Sequence, residues 1–89
     1  MFEVNEKEAL FRVRRYDLRR EDGRLAIEVR EKIAGESSFD FYAIPSLQGN
    51  ACDQREYWGI GQTENEALQD CLNRIKDISI QALFPPPAS

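Results

Sequence analysis

A chain of 89 residues, 42% hydrophobic and 31% charged, has the composition of one small folded domain and excludes a disordered tail. Such a domain buries roughly two-thirds of its unfolded surface, so its core is thin. A net charge of −4 and the lack of histidine exclude a diffuse positive field that coats nucleic acid, a Ser-His-Asp or Cys-His nucleophile, and an imidazole metal site.

Residues 1 to 9 read two ways: Asn5 and Glu8 have the spacing of a capping box, whereas Phe2 and Val4 alternate like a strand. From Leu10 to Leu18 a strand is expected, with Phe11 and Val13 on one face and Tyr16 and Leu18 on the other, which calls for a bulge near Arg14-Arg15. A helix is the alternative, since Leu10, Val13 and Asp17 would also line up. Glu21-Asp22-Gly23 signals a hairpin turn. Leu25 to Ile33 is the clearest strand, because Leu25, Ile27, Val29 and Ile33 alternate with Ala26, Glu28, Arg30 and Lys32. Ala34-Gly35-Glu36-Ser37-Ser38 turns the chain. Phe39 to Ile44 returns with Phe39, Phe41 and Ala43 inward, and Pro45 is expected to stop the pairing. Ser46 to Gln54 reads as a long loop, Tyr57-Trp58-Gly59-Ile60 as a short last strand, and Gly61-Gln62 as the turn into a helix.

That helix is predicted from Thr63 to Leu83. Thr63-Glu64-Asn65-Glu66 is a capping box, with Glu64 and Glu66 placed where negative charge suits the helix dipole. Ala67, Leu68, Cys71, Leu72, Ile75, Ile78 and Ala82 form one apolar stripe, and Asp70 with Arg74 is an attractive pair. Ile80 falls off the stripe. Pro85, Pro86 and Pro87 end the helix. The expected architecture is α+β: an antiparallel meander of three to four strands with one C-terminal helix packed on one face, in the order β-β-β-β-α. It forms a single domain over 1–84, followed by an extended proline-rich tail, 85–89. No apolar run approaches the roughly 20 residues of a membrane span, and Met1-Phe2-Glu3-Val4 lacks the form of a signal peptide, so the expected location is the cytoplasm. Cys52 and Cys71 are then read as free thiols.

Few residues offer chemistry. Two separated cysteines make no structural zinc site, and no metal or other cofactor is expected. Glu64 with Glu66, and Glu28 with Glu31, read as solvated carboxylates. Gly59 and Gly61 lack the rest of a phosphate-binding fingerprint. No catalysis is expected. Two groups suit binding instead. Arg12, Arg14, Arg15, Arg19 and Arg20 face only Asp17 between positions 10 and 20, a local basic patch able to contact phosphates or an acidic partner; a solvated face balancing nearby acids is the plainer reading. Tyr42, Ile44, Tyr57 and Trp58 flank the long loop and have the character of interface anchors, with core packing as the competing role. If the second sheet face carries them, the chain should self-associate, as a homodimer.

Gly59-Ile60-Gly61-Gln62-Thr63 resembles the strand-to-helix junction of double-stranded RNA-binding domains, but those open their helix with lysines, and here Glu64-Asn65-Glu66 would repel phosphates. A fuller match is to HicB-type antitoxin domains. Leu25-Ala26-Ile27-Glu28-Val29-Arg30-Glu31-Lys32 is similar to that family's first strand and Phe39 to Ala43 to its second. Ile44-Pro45-Ser46-Leu47-Gln48-Gly49 resembles its Pro-Leu-Gly motif, and Gly61-Gln62-Thr63-Glu64-Asn65-Glu66-Ala67-Leu68 its helix opening, so the resemblance covers about Leu25 to Ile80. Ser46 and Gln48 replace the usual acidic residue and proline, the stretch from Gly49 to Gly61 is longer, and a proline tail follows where many members carry a DNA-binding module. The resemblance implies a non-catalytic module that binds and regulates or neutralises a protein partner, through the long loop and its aromatic flanks. The alternatives are a nucleic-acid-binding accessory that uses the arginine strand, or a structural subunit.

Overall fold

The Glu21-Asp22-Gly23 signal closes a tight hairpin in the computed structural model, which describes residues 3–35 and 39–86. Strands β1 (Ala9–Arg20) and β2 (Gly23–Gly35) pair antiparallel from Arg20 opposite Gly23 to Ala9 opposite Gly35. Gly23 has φ +137°, a conformation that side-chain-bearing residues rarely adopt. β2 then pairs with β3 (Phe41–Leu47). The far side of β3 takes two short strands, β4 (Asn50–Ala51) at its end and β5 (Gly59–Gly61) at its start. The result is a five-stranded antiparallel sheet covered on one face by helix α1 (Glu64–Ile75), the α+β meander with a C-terminal helix that the sequence predicts.

The alternation in β2 becomes a two-sided strand. Leu25, Ile27 and Val29 are buried towards α1 and meet Ala43, Ala67, Cys71, Ile75 and Leu83 in one core. The register puts Ala26, Glu28, Arg30 and Lys32 on the opposite, open face. Thr63 caps α1 by accepting from the N–H of Glu66 at 3.1 Å, and Asp70 and Arg74 pair at 3.1 Å. The Glu66 carboxylate reaches the N–H of Gln62, not that of Thr63, so the capping box closes one residue early.

Five expectations change. No bulge interrupts β1 near Arg14-Arg15; the register shifts between Leu10 and Phe11 instead. The switch from Phe11 and Val13 to Tyr16 and Leu18 is one straight strand with apolar residues on both faces. Pro45 does not stop β3 but lies within it, opposite Ile27. Its carbonyl accepts from the N–H of Cys52 at 2.7 Å, so its missing donor falls on the side of β3 between β5 and β4, where no strand needs it. Ser46 to Gln54 is no open loop: Gln48 and Gly49, both at positive φ, turn β3 into β4. Tyr57 ends a 3₁₀ turn, Arg55–Tyr57, ahead of the last strand. Phe39 precedes β3, is exposed, and does not point into the core.

The predicted helix also divides. α1 stops at Ile75, and a separate turn of helix, α2 (Ile80–Leu83), follows. Ser79 caps α2 by accepting from the N–H of Ala82 at 3.1 Å, while the Asp22 carboxylate accepts from the N–H of Ile80 at 2.8 Å. Arg20 donates to the Ile78 carbonyl at 2.7 Å and pairs with Asp22 at 3.5 Å. The elbow between the helices is therefore held by the β1–β2 turn. It rotates Leu83 into the core and Ala82 into solvent, and it brings the off-stripe Ile80 against the core. Phe84, at φ −127°, ends the helix before the prolines. Asn5 and Glu8 form a turn and not a short helix, with Glu8 accepting from the N–H of Asn5 at 3.0 Å; the strand reading rests on Phe2, which lies outside the described residues. The middle of the β2–β3 connection and the end of the proline tail lie outside the described residues.

Candidate protein-binding face

Strand register decides which side chains share the open face. Phe11, Val13, Arg15 and Asp17 of β1 lie opposite Lys32, Arg30, Glu28 and Ala26 of β2; Glu28 and Arg30 in turn lie opposite Ile44 and Tyr42 of β3, and Tyr42 opposite Ile60 of β5. Aromatic rings collect at one end. The Phe11 and Tyr42 rings meet edge-on at 6.3 Å, and Phe39 and Tyr42 at 6.0 Å. The Arg55 guanidinium lies 5.5 Å from the centre of the Trp58 ring, and Trp58 Nε1 donates to the Cys52 carbonyl at 2.7 Å. Phe11, Arg30, Tyr42, Ile44, Arg55 and Trp58 line a shallow depression of about 260 Å³. Val13, at 51% exposure, stands on the same face.

Of the four sequence-predicted interface residues, three come together. Tyr42 and Trp58 form walls of the depression, and Ile44, only 2% exposed, forms its floor. Tyr57 does not join them: it packs against the core on the helix side, and its carbonyl accepts from the Cys71 thiol at 3.5 Å. Phe11, Val13, Phe39 and Arg55 belong to the face without having been singled out by the sequence. The signal existed in Phe11 and Val13, whose alternation matches Tyr42 and Ile44 across the sheet, but the expected bulge hid it.

The five arginines do not form an array. Arg12, Arg14 and Arg20 point to the helix side of β1, Arg15 and Arg19 to the open face, as the register with β2 requires. Arg12 pairs with Glu31 at 3.6 Å, Arg14 with Glu64 at 2.9 Å, and Arg20 with Asp22. Glu64 also accepts from the Tyr16 hydroxyl. The Glu64 carboxylate, and then the hydrogen bond from Tyr16, raise the Arg14 pKa; the hydrogen bond to Glu64 raises that of Tyr16. The first-turn acid of α1 is thus tied to β1. Arg15 and Arg19 have no ion pair among the described residues.

Both cysteines are free and buried. Burial pushes the Cys71 thiol up to about 12 and also raises that of Cys52, so neither is an activated thiolate at neutral pH. Among the described residues no group of three acidic, cysteine or histidine side chains could hold a metal, and no helix is long and apolar enough to cross a membrane. No protein-family model matches the chain, nor does any curated protein or solved structure.

Proposed function

We propose that this chain is a small, non-catalytic, HicB-like protein-binding module that regulates or neutralises a protein partner through its open sheet face. One observation carries the reading: Phe11, Tyr42 and Trp58 stand around the Ile44 floor on the sheet face opposite α1, and Val13 is exposed on the same face. Aromatic anchors beside arginines make the residue mix of protein interfaces. Phosphate binding by the arginine strand is disfavoured, because its members split between two faces and three are held by carboxylates.

Affinity capture with the tagged chain, eluted by rising salt and analysed for protein and nucleic acid, tests this. A protein partner should persist beyond physiological salt, because an aromatic-centred contact lacks the log-log slope of about −0.9 per neutralised phosphate. Val13→Glu places a charge at an exposed position, so it should retain the fold and release that partner. Nucleic acid eluting at low salt with no protein companion, or a partner held equally by Val13→Glu, would overturn the proposal.

A further inference from the structure

β1 is the free edge of the sheet: it pairs with β2 along its length, and no described strand adds to its other side. An edge strand of 12 residues leaves alternate backbone N–H and C=O groups unpaired and can template a further strand. α1 packs chiefly on β3 and β5 and meets β1 through the contacts of Glu64 with the Arg14 and Tyr16 side chains, which leave the backbone edge of β1 open to a second sheet. Five arginines guard the strand against casual pairing. What can add here must match their charges.

We propose that a second copy of this chain adds to β1, antiparallel, across a two-fold axis that passes through Tyr16. An axis normal to the sheet pairs each residue with one of the same parity, so side chains stay on their own face. With Tyr16 at the centre, Arg15 lies opposite the partner's Asp17 and Asp17 opposite the partner's Arg15. Both are exposed and neither has an ion pair among the described residues. Arg15 faces Glu28 across β1 and β2 without pairing with it, so its charge is available at the free edge.

Other registers fail on charge or length. Centring on Arg12, Arg14 or Arg15 sets guanidinium against guanidinium on the axis, and centring on Asp17 sets carboxylate against carboxylate. Centring on Val13 sets Arg15 opposite Phe11 and Asp17 opposite Ala9, which leaves both charges unmatched. Centring on Leu18 matches Asp17 with Arg19 but confines the ladder to 16–20, whereas Tyr16 at the centre extends it over 12–20. In that longer ladder Arg12 lies opposite the partner's Arg20, and each carries its own carboxylate, Glu31 at 3.6 Å and Asp22 at 3.5 Å. Tyr16 meets its own copy as a cross-strand aromatic pair.

Sedimentation equilibrium of the wild-type chain, R15D, D17R and R15D/D17R tests the register. The wild type should reach twice the 10.3 kDa chain mass. Each single variant turns two attractive pairs into two repulsive ones and should raise the dissociation constant by about tenfold or more. The double variant should restore the dimer, which the Leu18 register would not allow, because there the guanidinium that D17R introduces would face Arg19. Amide exchange on the wild type supplies a check independent of the variants: alternate amides over 12–20 should gain protection as protein concentration rises. A single-chain mass at every concentration, a dimer indifferent to these charges, a double variant that stays monomeric, or β1 amides that gain no protection would each overturn the proposal. Val13→Glu, which faces the partner's Arg19, should keep the dimer, so a failure here is distinguishable from a failure of the open-face reading.

Discussion

Gly59→Ala is expected to cost about 3 kcal/mol of folding stability, the upper end of the range for overpacking a core. A Cβ at Gly59 would lie 2.1 Å from the Ala67 carbonyl oxygen and 2.4 Å from the Cys71 nitrogen. Both are helix backbone, so no side-chain rotation relieves the clash; α1 or β5 must move. The close approach follows from the small residues that meet there. Gly59 lies opposite Ala43 in the sheet, and Ala43 and Ala67 are both fully buried between sheet and helix. A loss of this size is a large fraction of the roughly 5–15 kcal/mol that stabilises a typical domain. Urea denaturation checks it: a midpoint lowered at unchanged slope is expected, and a loss below about 1 kcal/mol would mean that α1 does not rest on β5.

Ile75→Ala should cost roughly 2–5 kcal/mol, measured in the same way. Ile75 is 1% exposed at the end of α1, where the core residues of β2 and Leu83 of α2 converge, so its removal leaves a cavity under the elbow. Leu72 shares the predicted stripe but is only half-buried, and Leu72→Ala should fall near the low end of that range. Equal losses at the two positions would contradict the helix orientation. The expected difference measures what periodicity misses: a stripe names a face, whereas burial depends on where the sheet lies beneath it.

Local signals are the legible ones. Thr63 and Glu66 cap α1, Glu21-Asp22-Gly23 turns β1 into β2, and alternation from Leu25 marks a strand buried on one face, because each effect is decided within a few residues. The misreadings share a different cause. The break after Ile75 depends on Ser79, which lies inside the predicted helix and caps α2, and on Asp22, which arrives from the far end of a hairpin. Pro45 reads as a stop until the partners of β3 are known, since the side on which its missing donor falls is a property of the sheet. Gln48-Gly49 reads as part of a long loop, although a turn pair of this kind can support the positive φ that β4 requires.

The candidate face is half legible for the same reason. Tyr42, Ile44 and Trp58 announce themselves as bulky residues near strand ends, but Tyr57, next to Trp58, turns to the core where the 3₁₀ turn reverses its direction. The arginine cluster is compact in sequence and dispersed in space. Successive side chains of a strand leave on opposite faces, so a run that looks like one patch is divided between the acids of the helix side and the open face.

The most direct measurement is an amide chemical-shift map of the isotope-labelled chain titrated with the protein captured on it. The expected perturbations centre on Phe11, Val13, Tyr42 and Trp58, with Asn65, Gln69 and Asn73 on the solvent side of α1 unmoved. Shifts confined to that side of α1, with the aromatic face unchanged, would contradict a partner-binding role for the open sheet.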